Sequence, residues 1–491
     1  MKKAISLLLI LSCLMSTLFC SCSDNGSSST DTSSETSATE TASAGTDETA
    51  IETEAETQLT HGLEPADFDG ATCTTLIRTS KLSHFVADEL TGEALNDAVY
   101  ERNNTVSEEF GVKLEFVDVT DDGSTFNNTI SQSVTSNDGA YDIVAPDYWW
   151  QTEVHGWFMN LMEVSKLQLD QPWWCQGWNN AAEVAGTLPG AVGYYTLDMV
   201  QNMNMIFFNK SLYDTLSFDS VYSLDGLYNT VREGKWTYDL FSQMCTAAAS
   251  DLDGDGTFTD NDRYGSISDL QSGRALLWSL GLELCTKDAE GNLTPTLTTE
   301  KNYNIFKTAL SFYEDTANSY GKYGSEFFMS DKALFYMSNI NCATYLRDME
   351  SDFGVIPYPK YDESDETYRS RNIGSSYFAI PITAVNSDMS ATVLEAQNFY
   401  SYRDVLSTYY DTILKSKVAR DEETREMLDL VVDTCYIDPF FVYGSNLSGV
   451  ADIPFNLVTS KTDTYMSKMK TIEKVITKSL NKMIDAIQPD A

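Results

Sequence analysis

Three aspartates stand at alternate positions, Asp251, Asp253 and Asp255, and Gly256, Thr257, Thr259 and Asp262 follow them. Oxygen donors therefore fall at positions 1, 3, 5, 7, 9 and 12 of a short loop, with glycine at 6 for the sharp turn. That is the spacing by which a loop wraps a calcium ion. Crowding three carboxylates into five residues creates a repulsion that a divalent cation removes. Asp251, Asp253 and Asp255 would give carboxylate oxygens and Thr257 its carbonyl. Thr259 would act through water, and Asp262 would close the loop with a shorter arm than the usual glutamate. One loop without a paired partner suits a structural staple and not a sensor. The alternative is an acidic turn that holds no metal.

A second chemistry is carried by aromatic rings. Asp147, Tyr148, Trp149 and Trp150 come directly after an apolar run that stops at Pro146. Trp173 and Trp174 follow Pro172, with Trp178 beyond them. Aromatic faces stack on the apolar faces of sugars while neighbouring polar groups fix the hydroxyls. Asp147, Tyr148, Trp149, Trp173 and Trp174 are accordingly candidate ligand contacts. The competing reading for each ring is packing beneath a long loop.

Catalysis finds no comparable support. With 73 acidic residues a carboxylate pair can always be drawn, so such a pair carries no specificity. His61, His84 and His155 are the only histidines, and neither an HExxH helix, a GxSxG elbow nor a phosphate-cradling glycine loop is present. No catalytic residue is assigned, and the chain is expected not to be an enzyme.

The elements that must position these residues read as alternating strands and helices. Thr74–Ile77, Val112–Phe116 and Tyr141–Ala145 read as strands, with helices at Leu95–Phe110 and Thr125–Val134 between them. That order implies a parallel sheet, whose strands gather ligands at their carboxyl ends. Met203–Phe208 is an apolar run of strand length before the N-cap Asn209, and it reads as a crossing between two lobes. Later segments mix strands and helices again, ending in an amphipathic helix at about 464–487 with Met466, Met469, Ile476, Leu480, Met483 and Ile487 on one face.

Composition sets further bounds. Against its 73 acidic residues the chain carries 32 Lys and Arg, a formal charge of -41, which excludes an electrostatic search for nucleic acid or anionic lipid. Lys2 and Lys3 precede an apolar stretch too short to span a membrane, so 1–21 reads as a signal peptide. Ser21-Cys22 then resembles the lipobox of bacterial lipoproteins, with Cys22 the lipidated residue; the alternative is an ordinary secretory signal. Residues 22–69 read as an acidic, disordered tether. The remaining cysteines are scattered without metal spacing and read as buried free thiols.

Taken in order, Ile206–Tyr213, Gly234–Asp239, Asp251–Gly265, Gly354–Pro359 and Ala379–Pro381 resemble the extracellular solute-binding lipoproteins of bacterial ABC importers, the family related to maltose-binding protein. The resemblance implies an α/β, two-lobe, periplasmic-binding-protein-like fold of type 2 that closes on its ligand by a hinge. It implies lobe one at 70–203 plus 330–383 and lobe two at 204–329 plus 384–491. It adds Asn339, Asn341 and Tyr345, placed after a second crossing, to the ligand contacts. The function it implies is a monomeric, lipid-anchored receptor on the outer face of the cell membrane, with an ABC permease as partner and a small solute, an oligosaccharide, as ligand. The alternatives are an extracellular glycan-active enzyme or a calcium-stabilised surface adhesin.

Overall fold

The computed structural model describes residues 59–150, 152–414 and 422–487. The expected signal peptide, most of the tether and Cys22 lie outside the described residues. The tether expected through residue 69 ends sooner than that. His61 packs its ring edge-on to Phe110 and Phe399 at 5.9 and 5.3 Å, and Leu63, Ala66 and Phe68 pack on the core. These apolar residues bury surface that the Ser/Thr/Glu tract before them cannot supply.

Lobe one is built on β1 (Ala71–Arg78), β2 (Val112–Val119) and β3 (Ile143–Val144), a parallel sheet in the order β2-β1-β3. Helices Ala94–Phe110 and Gly123–Ser136 are its crossovers. The first buries Val99, Val106 and Phe110, and ends at Gly111, whose φ of 59° is left-handed and favours glycine. The second is capped by Asp122, which accepts from the Thr125 N–H.

Lobe two contains β4 (Asn204–Asn209), β5 (Tyr264–Ser268), β6 (Cys285–Lys287), β7 (Leu293–Pro295), β8 (Asn318–Tyr320), β9 (Ala333–Asn339) and β10 (Phe353–Ile356). Five of them form one sheet in the order β10-β4-β9-β5-β8, and β6 and β7 form a separate hairpin. Strand β4 is buried at every position, as an interior strand covered on both faces must be. Asn209 caps the helix Lys210–Thr215 by accepting from the Leu212 N–H at 2.9 Å.

The lobe boundaries differ from those expected. Strands β9 and β10 both pair antiparallel to β4, so 333–356 belongs to lobe two and not to lobe one. The second crossing comes later, where Asn204 N–H donates to the Arg371 carbonyl at 2.8 Å and Ile373 N–H to the Asn202 carbonyl at 3.0 Å. Beyond it, Phe378 and Ala379 bridge to Ala191 and Val144 of lobe one. Helix Ser387–Tyr400 packs on β1 and on Ala94–Phe110, so it too belongs to lobe one, contrary to the expected 384 boundary. An apolar run declares a strand, but its pairing partner is set by contacts distant in sequence.

Three further pieces span the lobes beside this hinge. The β6–β7 hairpin of lobe two reaches lobe one, where Ala185 N–H donates to the Gly291 carbonyl at 3.0 Å and the Lys287 ammonium meets Glu183 at 2.7 Å. The short helix Pro439–Val442 packs on helix Gln176–Ala182. The final helix, Tyr465–Ile487, starts on lobe two, with Tyr465 stacked on Phe306 at 5.0 Å, and ends against the Thr152–His155 turn of lobe one. Met466, expected on its buried face, is exposed, and Tyr465 takes that place. No helix among the described residues is long and apolar enough to cross a membrane.

Candidate ligand cleft and metal loop

Strand β1 delivers Arg78 at its carboxyl end, and β3 leads into the loop Asp147–Trp150 beside it. Arg78 is buried and donates to Asp147 at 2.7 Å, to Asp198 at 3.0 Å and to the Ser376 hydroxyl at 2.7 Å. Lys81 also donates to Asp198, and His84 Nδ1 stands 3.8 Å from it. Burial raises the Asp198 carboxyl, but Lys81, His84 and Arg78 outweigh it and hold the group below its ordinary range. Burial, opposed by Asp198, holds the His84 imidazole down to about 4. Asp147 is raised by burial against the pull of Arg78, and its other oxygen accepts the Trp149 N–H at 3.0 Å. Asp147 thereby fixes both Arg78 and the start of the aromatic loop.

The rings of that loop divide into two roles. Trp149 is 36% exposed. Its ring lies 4.5 Å from Tyr148 and 5.2 Å from Phe441, so one indole is braced while part of it stays accessible. Tyr148, expected to touch ligand, is buried; its hydroxyl donates to the Ile373 carbonyl at 3.0 Å, and Trp178 lies 5.0 Å away. It forms the bed on which Trp149 rests. Trp173 and Trp174, also expected in the cleft, are core residues. Their indole N–H groups donate to the two oxygens of buried Glu395 at 2.7 and 3.0 Å. A carboxylate on helix Ser387–Tyr400 draws both rings inward, because a buried indole N–H needs an acceptor.

From lobe two, β5 and β9 run parallel and end at Ser268 and Asn339. Asn339 and Asn341 are half-buried there, and Tyr345 is 63% exposed. Asn339 ends β9 and the other two come soon after it, so none of the three follows a second crossing. Asp269 caps helix Leu270–Ser279 by accepting from the N–H groups of Gln271 and Ser272.

Three residues that sequence reasoning passed over complete the interlobe region. Phe441 touches Tyr148 at 5.5 Å, Trp149 at 5.2 Å and Trp278 at 6.5 Å, and the Arg371 guanidinium lies 4.1 Å from its ring centre. Arg371 belongs to the second crossing and Trp278 to helix Leu270–Ser279, so lobe one, lobe two and hinge meet at this one phenyl ring. Arg78, by contrast, had a local signal, since it ends the strand at the sheet's switch point.

The acidic loop lies at the other end of lobe two. Ser250 and Arg263 pair across its base and β5 starts at Tyr264, so the loop and the cleft sit at opposite ends of that strand. One oxygen each from Asp251, Asp253 and Asp255 lies within 4.8 Å of the other two. Gly256 takes a left-handed φ of 82°, as the sixth position requires. The three carboxylates fit a hard divalent cation. Asp262 is buried, and both its oxygens accept backbone N–H groups, from Leu252 at 2.8 Å and Thr259 at 2.6 Å. The residues brought together are therefore the three aspartates, with Thr257 and Thr259 farther along the same loop. The cysteines read as buried thiols are free, and all but the half-buried Cys435 are buried.

The sequence matches no protein-family model and no curated protein sequence. The fold does match solved structures. The sugar-binding protein MalE from Xanthomonas citri is 12% identical with a TM-score of 0.58, covering 86% of this chain and all of the other. The cyclic alpha-maltosyl-1,6-maltose binding protein from Arthrobacter globiformis is 15% identical at a TM-score of 0.53, over 84% of this chain and all of its own. An ABC substrate-binding protein from Listeria monocytogenes, solved with cycloalternan, is 13% identical at 0.52 over the same shares. At such identities the likeness establishes a shared two-lobe α/β architecture.

Proposed function

We propose that this chain is the solute-binding receptor of an ABC importer, capturing a saccharide between its lobes and releasing it chemically unchanged to a membrane permease. The observation that carries the reading is Trp149: a braced, partly exposed indole at the carboxyl end of a parallel sheet, next to the crossing that joins two lobes. Such a ring offers an apolar face to a pyranose, and Asn339, Asn341 and Tyr345 offer hydrogen-bonding groups from the opposite lobe. The fold neighbours support it, since their names describe sugar and substrate binding. The lipobox-like Ser21-Cys22 supports anchoring through Cys22 on the outer face of the membrane, and the family resemblance implies a monomer. The aspartate loop would hold calcium as a staple for the start of β5.

The test is thermal shift with a panel of oligosaccharides, run beside an assay for reducing ends. The expected result is a raised melting temperature with no sugar released. Steady release would sustain a glycan-active enzyme instead.

A further inference from the structure

Of the three buried guanidinium groups among the described residues, two have strong partners and one does not. Arg102 is as deeply buried as any. Its five N–H groups donate to Asn103, the carbonyls of Tyr195 and His84, and the Ser401 hydroxyl at 2.9 to 3.2 Å. Arg78 is held by two carboxylates, although its Nε, too, has no partner. Arg371 is different. It is 3% exposed, its one side-chain hydrogen bond is a long 3.4 Å contact with the Gln271 carbonyl, and its Nε has no partner. No carboxylate of the described residues stands within 4.0 Å of it. What covers it is the face of Phe441, at 4.1 Å.

Arg371 is also not alone. Arg274 faces the same region, with its Nη1 on Asp452 at 2.5 Å and its Nε unpartnered. Arg369, two residues back along the crossing, also leaves a buried Nη1 without a partner, but its guanidinium lies over the Tyr436 ring at 4.4 Å. Two incompletely bonded guanidinium groups, those of Arg371 and Arg274, thus act on each other at the hinge of a chain whose net charge is -41. The nearest counter-charge acting on Arg371, Asp452, is already bonded to Arg274, and a buried cation short of hydrogen-bonded counter-charge is kept where something else completes it.

Resting on the receptor reading above, we propose that the saccharide carries an anionic group, a carboxylate or a sulfate ester, and that Arg371 receives it. Phe441 is the placeholder. In this structure its ring answers the guanidinium with a cation–π contact, which is weaker than a bidentate, charge-assisted pair of hydrogen bonds. Lifting the Pro439–Val442 helix exchanges the first for the second. Because Trp149 and Trp278 flank Phe441, that exchange alters indole surroundings on both lobes. The general negative charge of the surface does not forbid an acidic ligand, since exposed charges are screened within about 8–10 Å while a desolvated guanidinium acts at full strength.

The experiment uses the full chain and saccharides in pairs that differ only in charge: trigalacturonate with its methyl ester, and a sulfated disaccharide with its unsulfated form. Binding is followed by calorimetry and by tryptophan fluorescence. The charged member of one pair is expected to bind at least tenfold more tightly than its neutral twin and to shift the emission. That pair identifies the group as carboxylate or sulfate. The advantage should vanish in R371Q and persist in part in R371K. If R371Q does not fold, the twin comparison on the unmodified chain decides alone. Neutral twins that bind as well as charged ones overturn the anion subsite and leave the receptor standing. Failure of every member to bind overturns the anion subsite, while the thermal-shift panel of oligosaccharides decides the receptor reading separately.

Discussion

At the scale of single residues, an aromatic pair of letters means different things depending on what accepts its N–H. Trp149 keeps part of its ring accessible, whereas Trp173 and Trp174 are tied to Glu395. Replacing Trp149 by Ala should weaken saccharide binding about tenfold, the worth of one stacked ring, and leave the melting temperature near its original value. Calorimetry and thermal melting read the two effects separately. Glu395→Gln should do the reverse. Its carboxylate accepts two indole N–H groups and the Gln168 N–H at 2.7 to 3.2 Å, and an amide offers only one acceptor. Stability measured by urea unfolding should fall by about 1–3 kcal/mol with binding retained. The sequence could propose all these rings as candidates, but the residue that sorts them stands more than two hundred positions away.

At the scale of elements, what local chemistry dictates was legible and what long-range pairing dictates was not. The Gly111 stop, the Asn209 cap, the parallel β1–β3 sheet and the turn of the aspartate loop all follow from nearby residues. The allocation of β9 and β10 does not, because their apolar runs suit either lobe until β4 lies between them. If the loop holds calcium, chelation should lower the melting temperature by several degrees, and Asp251→Asn should abolish that sensitivity. Unchanged melting on chelation would remove the metal from the account.

Asp438 supplies a pH dependence at the same scale. Burial raises its carboxyl from 3.8 to about 7, although the N–H groups of Phe440, Leu284 and Cys285 pull the other way. The folded chain therefore binds more protons than the unfolded chain between about 4 and 7. Stability contributed at this site is full below that window and is lost as pH rises through it. His84, held at about 4 by burial, acts with the opposite sign between about 4 and 6.5. Urea midpoints for Asp438→Asn should thus decline less from pH 5 to pH 8 than those of the parent.

At the scale of the whole molecule, two lobes and a hinge were implied by resemblance, but the bridges across them were not. Those bridges would restrain any movement of one lobe against the other. The Lys287–Glu183 ion pair is mostly shielded on both sides, so removing it should favour separation of the lobes. Small-angle scattering should show a larger radius of gyration for ligand-free Lys287→Ala, returning toward the parent value on saturation with saccharide. An equal radius in both would mean that the hairpin rides along without restraining anything.

The helix Tyr465–Ile487, rooted in one half of the protein and finishing against the other, makes a rod of 23 residues, about 34 Å. A rod pinned at each end cannot lengthen when the jaws part; either it pivots or its final turn unwinds. The widest gape would then be governed by how readily the last turns of the helix, with buried Met483 and Ile487, leave the Thr152–His155 turn. In a receptor that closes on its solute, capture speed would then be a trait written in the last coil of the chain, open to tuning there without a change in what is bound.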